Sequence, residues 1–342
     1  MSDLLHKNFI SEIKHLLHTA RSTVYQTINS TMTNTYWEIG RRIVEEEQKG
    51  DVRAKYGKTV IKNLSDELTK EFGKGFSVTN LQQMRQFYIA YEKYQTPSVK
   101  SEKGKTLSRE FKLSWSHYIF LSRMNNLDER NFYEIEAVKN AWSLRELKRQ
   151  FNSGLFERLL LSKDQSKVKE LSTQGQIVQN ISDLIKDPYI LEFTGLPEQV
   201  CYSESELEQR IINKLECFLL ELGKGFTFVA RQKRITIDEK HFKIDLVFYN
   251  RLLRCFVVID LKIGELKHQD LGQMMMYINY FDRIEKQNDE NPSIGIILCK
   301  DKSKALVEMT LPKDNNQIYA SKYLTILPDK EEFKRLLESE DE

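Results

Sequence analysis

Cysteine, net charge and long apolar runs are all scarce in this sequence. Among 342 residues there are four cysteines, Cys201, Cys217, Cys255 and Cys299. They are scattered and form no C-x-x-C, which argues against a zinc site and against a disulfide framework. Cys255 and Cys299 fall in apolar segments expected as strands, where a free thiol behaves as a small hydrophobe. Lysine and arginine total 52 against 50 acids, so any nucleic-acid surface has to come from local patches. No stretch approaches the ~18 apolar residues of a membrane span. Leu4-Leu5-His6-Lys7 supplies no core for a secretory signal. The chain reads as cytoplasmic, with no membrane partner.

Its length suggests about two domains, each able to bury its own core. The first half is helical in pattern. Residues 3–49 look helical, with Ile10, Ile13, Leu16 and Leu17 in one stripe and a second helix starting at Thr35. A helix over 58–72 ends at Gly73-Lys74-Gly75, and Ser77 caps the next one. That helix turns Leu81, Met84, Phe87 and Tyr91 inward and leaves Gln82 and Arg85 on other faces. A helix, a glycine turn and a second helix bearing Gln and Arg is how a helix-turn-helix reads, although the same face also suits a protein partner. Residues 95–112 form a loop in which Lys103, Lys105 and Arg109 contribute to an excess of base, either a phosphate-binding wing or an ordinary solvated loop. Three more helices follow, with Asp128 and Ser143 as expected caps and His117 as a satisfied core residue.

A polar stretch with weak periodicity separates the halves. The expected organisation is a helical domain over 1–162, a linker over 163–185 and a second domain over 186–342. The second domain reads as helix 204–222, strands 226–231, 233–238, 242–249 and 255–262, helix 268–285 and strand 293–299. That order makes an α/β sandwich with a mixed sheet. A last strand is expected at 323–327 and a last helix at 330–338.

The most informative stretch is 241–280. Strand 242–249 alternates, with Asp245, Val247 and Tyr249 on one face. Strand 255–262 is nearly all apolar, as a strand buried on both faces would be. Such a strand should end without charge, yet this one ends Asp260-Leu261-Lys262. The two-residue period places Asp260 and Lys262 on one face, and pairing of the two strands brings Asp245 near them. Two readings fit: a structural salt bridge, or a Mg²⁺ site in which two carboxylates hold the ion and Lys262 positions a water. Glu208 lies on the apolar stripe of helix 204–222. It is either an edge acid reaching water or a third acid for the site.

Asp245, fourteen intervening residues and then Asp260-Leu261-Lys262 at a strand end resembles the PD-(D/E)XK nuclease superfamily. Gln273 and Tyr277, one turn apart on the next helix, resemble the Gln-x-x-x-Tyr pair that lines many of those sites. Glu208 matches the first-helix acid. The segments YGKTVIKNLSDELTKEFGKGFSVTNLQQMRQFY, LSWSHYIFLSRM, WSLRELKRQFNSGLFERL and DPYILEFTGL, with the run from Glu206 to Asp282, narrow this to the YhcG-type family of bacterial PD-(D/E)XK proteins. Two departures stand out: Asp260 replaces the family's usual Glu, and Ile244 stands where the superfamily has proline.

The resemblance implies an all-α, winged-helix-like N-terminal domain followed by an α/β restriction-endonuclease-like domain with a mixed sheet. It implies a Mg²⁺- or Mn²⁺-dependent DNA endonuclease. Asp245, Asp260 and Glu208 would bind metal, Lys262 would handle the attacking water, and Gln273 would position Lys262 or the phosphate. Gln82, Arg85, Lys103, Lys105, Arg109, Gln232 and Tyr277 are the expected nucleic-acid contacts. Expected partners are duplex DNA, a second copy of the chain and a protein that engages the N-terminal half, in genome defence or mobile-element biology. The alternative is a nuclease fold serving mainly as a binding module.

Overall fold

The computed structural model describes residues 2–49, 55–92, 111–161 and 168–327. Two compact units emerge, Met1–Leu147 and Lys148–Glu342. The first contains α1 (Ser2–Lys49), α2 (Lys55–Phe72), α3 (Val78–Tyr91), α4 (Trp115–Leu121) and α5 (Leu127–Lys139), and the start of α6 (Leu144–Asn152).

Where two helices were expected, α1 is a single helix. No glycine or proline interrupts it before Gly40. Side chains that could have ended it bond back into it instead: Thr23, Thr27 and Thr35 donate 2.9 Å hydrogen bonds to the carbonyls of Thr19, Thr23 and Thr31. Gly40 marks a close crossing of α1 and α3, since a Cβ there would lie 2.1 Å from the Met84 carbonyl oxygen. Ile43, Ile61, Leu81 and Met84 form the core of this crossing. Phe87, Tyr91, Phe111 and Tyr118 pack ring against ring beside it.

Ser77 caps α3 as expected, accepting from the Asn80 amide at 3.3 Å. α5 is capped by Asn126 rather than Asp128; its side chain accepts from the amides of Asp128 and Glu129. An amide oxygen two residues before the first free N–H reaches it without burying a charge. His117 is satisfied at both ring nitrogens, by Ser114 Oγ at 2.7 Å and by the Trp142 carbonyl at 3.1 Å. Of the expected wing, only Phe111 and Lys112 lie within the described residues, and Phe111 is buried.

The second unit contains the rest of α6, α7 (Leu155–Leu161), α8 (Val168–Gln174), β1 (Tyr189–Ile190), α9 (Glu204–Asn213), α10 (Leu215–Leu222), β2 (Phe226–Ile237), β3 (Lys240–Asn250), β4 (Cys255–Leu261), α11 (His268–Tyr280), β5 (Ile294–Cys299), α12 (Lys304–Thr310) and β6 (Ile318–Leu324). Its six-stranded mixed sheet has the order β1-β6-β5-β4-β3-β2. β2, β3 and β4 run antiparallel, and β4, β5, β6 and β1 are parallel. The apolar β4 lies between β3 and β5, as its composition requires. On one face Leu207, Ile211, Phe218 and Leu222 pack against Leu246, Val257, Ile259 and Leu298. On the other, Leu271, Met274, Tyr277 and Ile278 of α11 pack against Val258 and Ile297.

Several boundaries differ from expectation. The expected strands 226–231 and 233–238 form one strand, Phe226–Ile237, with a register shift between Phe228 and Ala230. The expected helix 204–222 breaks at Lys214 (φ −127°) into α9 and α10. β6 starts at Ile318, ahead of the expected 323, and the helix expected at 330–338 lies outside the described residues. Within the stretch expected as a linker, α8 forms and Leu171, Ile181 and Leu184 are buried. Among the described residues no helix is long and apolar enough to cross a membrane.

An ionic anchor explains why residues 148–161 belong to this unit. Glu221 of α10 is fully buried; its Oε1 lies 2.6 Å from Arg158 Nη1 and accepts from the Ile190 amide at 3.0 Å, and its Oε2 lies 3.3 Å from Arg149 Nη2. Lys186 Nζ donates to the Glu221 carbonyl. Burial alone would raise the Glu221 carboxyl, but Arg158, Lys186 and Arg149 together outweigh it and hold it at about 2. A depressed carboxyl stabilises the fold above its ordinary value and loses that contribution as pH falls toward the folded value. The unfolding free energy of the wild type is therefore expected to drop between pH 4.5 and about 2. Glu221→Gln should lose about 3–5 kcal/mol at pH 7, with most of the difference gone at the acid end, in urea titrations at each pH.

Candidate active site

The site forms where β3 and β4 stop pairing. Their ladder runs from Asn250↔Cys255 to Leu246↔Ile259 and then ends. Beyond it Asp245 reaches across with its side chain, Oδ2 accepting from the Leu261 amide at 2.9 Å. The expected alternation fails at this point, because Ile244 packs in the same cluster as Val247. On β4, Asp260 is 2% exposed. Lys262 follows the strand end, its amide held by the Leu298 carbonyl at 2.8 Å. Its Nζ lies 2.8 Å from Asp260 Oδ2, as the shared face requires. That ion pair is within hydrogen-bonding distance, and among the described residues no second donor reaches the buried Asp260 Oδ2.

Glu208 comes from α9 and is 3% exposed. Its Oε1 lies 3.0 Å from Arg231 Nε, an ion pair. Gln232 Nε2 donates both to Glu208 Oε2 and, at 3.1 Å, to Asp245 Oδ1. Burial pushes the Asp260 carboxyl well above the ordinary carboxylate range; the Lys262 charge opposes this and Asp245 adds to it. Burial also lowers the Lys262 ammonium, but Asp260 outweighs it and the net shift is upward, so Lys262 stays charged. Glu208 is raised by burial against the opposing Gln232 hydrogen bond and Arg231 charge.

Residues 182–338 match the family described as the YhcG PDDEXK nuclease domain, and residues 12–158 match the DUF1016 N-terminal domain. Over 337 residues the chain is 41% identical to "Putative nuclease YhcG" of Escherichia coli (strain K12), covering 93% of this chain and 89% of that protein. The chain belongs to the YhcG family of PD-(D/E)XK nucleases. It is a nuclease, a phosphodiesterase by class. Among solved structures, a repair endonuclease from Pyrococcus abyssi aligns at TM-score 0.26 and 16% identity, over 38% of this chain and 50% of that one. The EndoMS-dsDNA2 complex aligns at TM-score 0.27 and 17% identity, over 39% and 49%. This chain spans about half the length of those structures.

Against the YhcG-family motif, the fold gathers Asp245, Asp260, Lys262 and Glu208 around the strand divergence. Gln273 does not reach Lys262: its amide donates to the Tyr277 hydroxyl. Tyr277 is fully buried and donates to the Lys243 carbonyl at 3.0 Å, so it braces β3 two residues before Asp245 instead of touching nucleic acid. Gln232 likewise turns toward the acids, not outward to a phosphate. In the helical unit Gln82 is exposed, but Arg85 is paired with Glu47 of α1 at 2.6 Å. Lys103, Lys105 and Arg109 lie outside the described residues. Arg231 went unnoticed in the sequence; its only signal was a base next to Gln232 on a strand facing an acid-bearing helix.

Among the described residues no three metal-ligating side chains stand close enough together to hold an ion as they are. The donor set still suits a hard divalent cation, with carboxylate oxygens only and a buried Asp260 that meets no donor but Lys262 among the described residues. A raised carboxyl favours the folded state most below its ordinary value of 3.8 and less as pH climbs through its folded value. In a chelator, Asp260→Asn is therefore expected to melt at or above the wild type at neutral pH, with the gap closing toward pH 4. A loss of about 3–5 kcal/mol at neutral pH would mark Asp260 and Lys262 as a structural pair instead.

Proposed function

We propose that this chain is a divalent-metal-dependent DNA endonuclease whose helical unit brings it to its target. The observation that carries the reading is Asp260: a buried carboxylate on a central strand whose one close partner among the described residues is the charged Lys262. Asp245 and Asp260 would hold Mg²⁺ or Mn²⁺, and Glu208 would assist. The ion, when bound, supplies charge for the developing phosphate negative charge and lowers the pKa of a water.

The protein's own groups do the rest. The Leu261 amide fixes Asp245 Oδ2 toward β4. Lys262, kept protonated by Asp260, can donate to a phosphate oxygen or orient the water; in that state it cannot act as a base. Tyr277 and Gln273 hold the backbone of β3 in place from α11.

The helical unit is the more basic one. Residues 1–147 carry 23 Lys and Arg against 18 acids, and residues 148–342 carry 29 against 32. This supports a winged-helix-like DNA contact through Gln82 and the 95–112 loop, in a cytoplasmic role such as genome defence or mobile-element control. A second reading of that unit is a protein-binding one. It is favoured by the Arg85–Glu47 pair and by a groove of about 930 Å³ lined by Ile39, Ile43, Val60, Leu64, Leu68 and Phe72.

Supercoiled plasmid with Mg²⁺, Mn²⁺ or EDTA tests the enzyme. Cleavage is expected with metal and none with EDTA. Asp245→Ala, Asp260→Ala and Lys262→Ala should each remove most of it, and double changes should cost little more, since the three act as one unit. One chain supplies one site, so light scattering should find either a monomer that nicks or a homo-oligomer that linearises. A folded Asp260→Ala protein that cuts at the wild-type rate would end the assignment of this site.

A further inference from the structure

β2 departs from regular strand geometry twice as it passes the site. Its register against β3 shifts between Phe228 and Ala230. Gln232 then takes φ 46°, in the left-handed region that residues with a side chain rarely adopt. Such outliers persist where the surroundings impose them, often at functional sites. Gln232 stands between the Arg231↔Leu246 and Lys233↔Ile244 pairs, opposite Asp245. From there its single NH₂ group serves two acids carried by different elements, Glu208 on α9 and Asp245 on β3.

We propose that Gln232 is a positioning residue that keeps the place of the divalent ion between Glu208 and Asp245, and that its amide withdraws when the ion binds. The proposal rests on the metal-dependent reading above. Two carboxylates drawn to one spot repel each other. Arg231 offsets the Glu208 charge from the Oε1 side only. An amide NH₂ has two hydrogens, one for each acid, and so relieves the repulsion without bringing a net charge. A lysine or arginine in the same position would be a fixed cation that the ion would have to displace against charge repulsion. An amide gives way to a divalent cation, because the acid oxygens gain more from the metal than from a neutral donor. The left-handed backbone aims this side chain into the site from a strand whose neighbours Arg231 and Arg234 are exposed.

Two measurements on the full-length protein test this: calorimetric titration with Mn²⁺, and thermal melting in EDTA. Gln232→Ala is expected to bind Mn²⁺ about tenfold more tightly than the wild type, since hydrogen bonds to two charged acceptors no longer have to be broken. It is also expected to melt earlier in EDTA, where the acids are left facing each other. Gln232→Gly removes the amide and relieves the left-handed backbone, so it should show the same tightening with a smaller loss in melting temperature; it decides the matter if the alanine variant does not fold. Equal or weaker Mn²⁺ binding by the variants, with normal binding by the wild type, overturns the place-holding role alone and marks Gln232 as a residue that only orients the acids. Absence of Mn²⁺ binding by the wild type overturns this inference and the metal-dependent reading together.

Discussion

A carboxylate enclosed by a sheet is costly, and Asp260 is enclosed on a central strand. Its surroundings follow from that constraint. β3 leaves β4 after Leu246, which opens the space Asp260 faces. Asp245 compensates for the lost ladder by taking the Leu261 amide with its side chain. Lys262 supplies a charge close enough to offset the acid, and no second donor completes the carboxylate's shell among the described residues. An arrangement meant only for stability would close these valences; this one leaves them open where the strands part.

Strand β4 and the charges at its end were legible in the sequence, because period-two placement holds along this unbroken strand, whereas it fails on β3 at Ile244. The Gly73 stop, the Ser77 cap and the satisfied His117 were legible as well, from helical periodicity and residue-type preferences near helix ends. What escaped depends on single torsions or on distant partners. The left-handed turn at Gln232 joins two expected strands into one and redirects an amide, and no residue type there announces it. The Tyr277 hydroxyl finds the Lys243 carbonyl 34 residues away in sequence. Arg85 had the chemistry of a base reader but lies beside Glu47 of α1, a partner 38 residues away in sequence. The long α1 escaped because threonines and asparagine signal helix ends by propensity, yet bond back into the helix when tertiary contacts carry it through.

The family's two-part organisation is visible in how each unit spends its aromatic residues. In the helical unit Phe87, Tyr91, Phe111 and Tyr118 stack on one another and form the interior, leaving no exposed ring platform among them. In the nuclease unit, by contrast, the buried Tyr277 uses its polar end to hold a strand in place next to the acids.

The buried Glu221 bears on how the halves of this protein can be separated. Its counter-charges Arg158 and Arg149 come from chain that precedes the polar stretch, within the segment that pattern alone would assign to the helical half. A nuclease half cut out after that stretch would keep the acid and lose both arginines, leaving an interior charge with Lys186 at its carbonyl and no guanidinium on its carboxylate. Arg149 and Arg158 therefore group with the acid they neutralise, in the unit Lys148–Glu342, ahead of the polar residues that look like a linker.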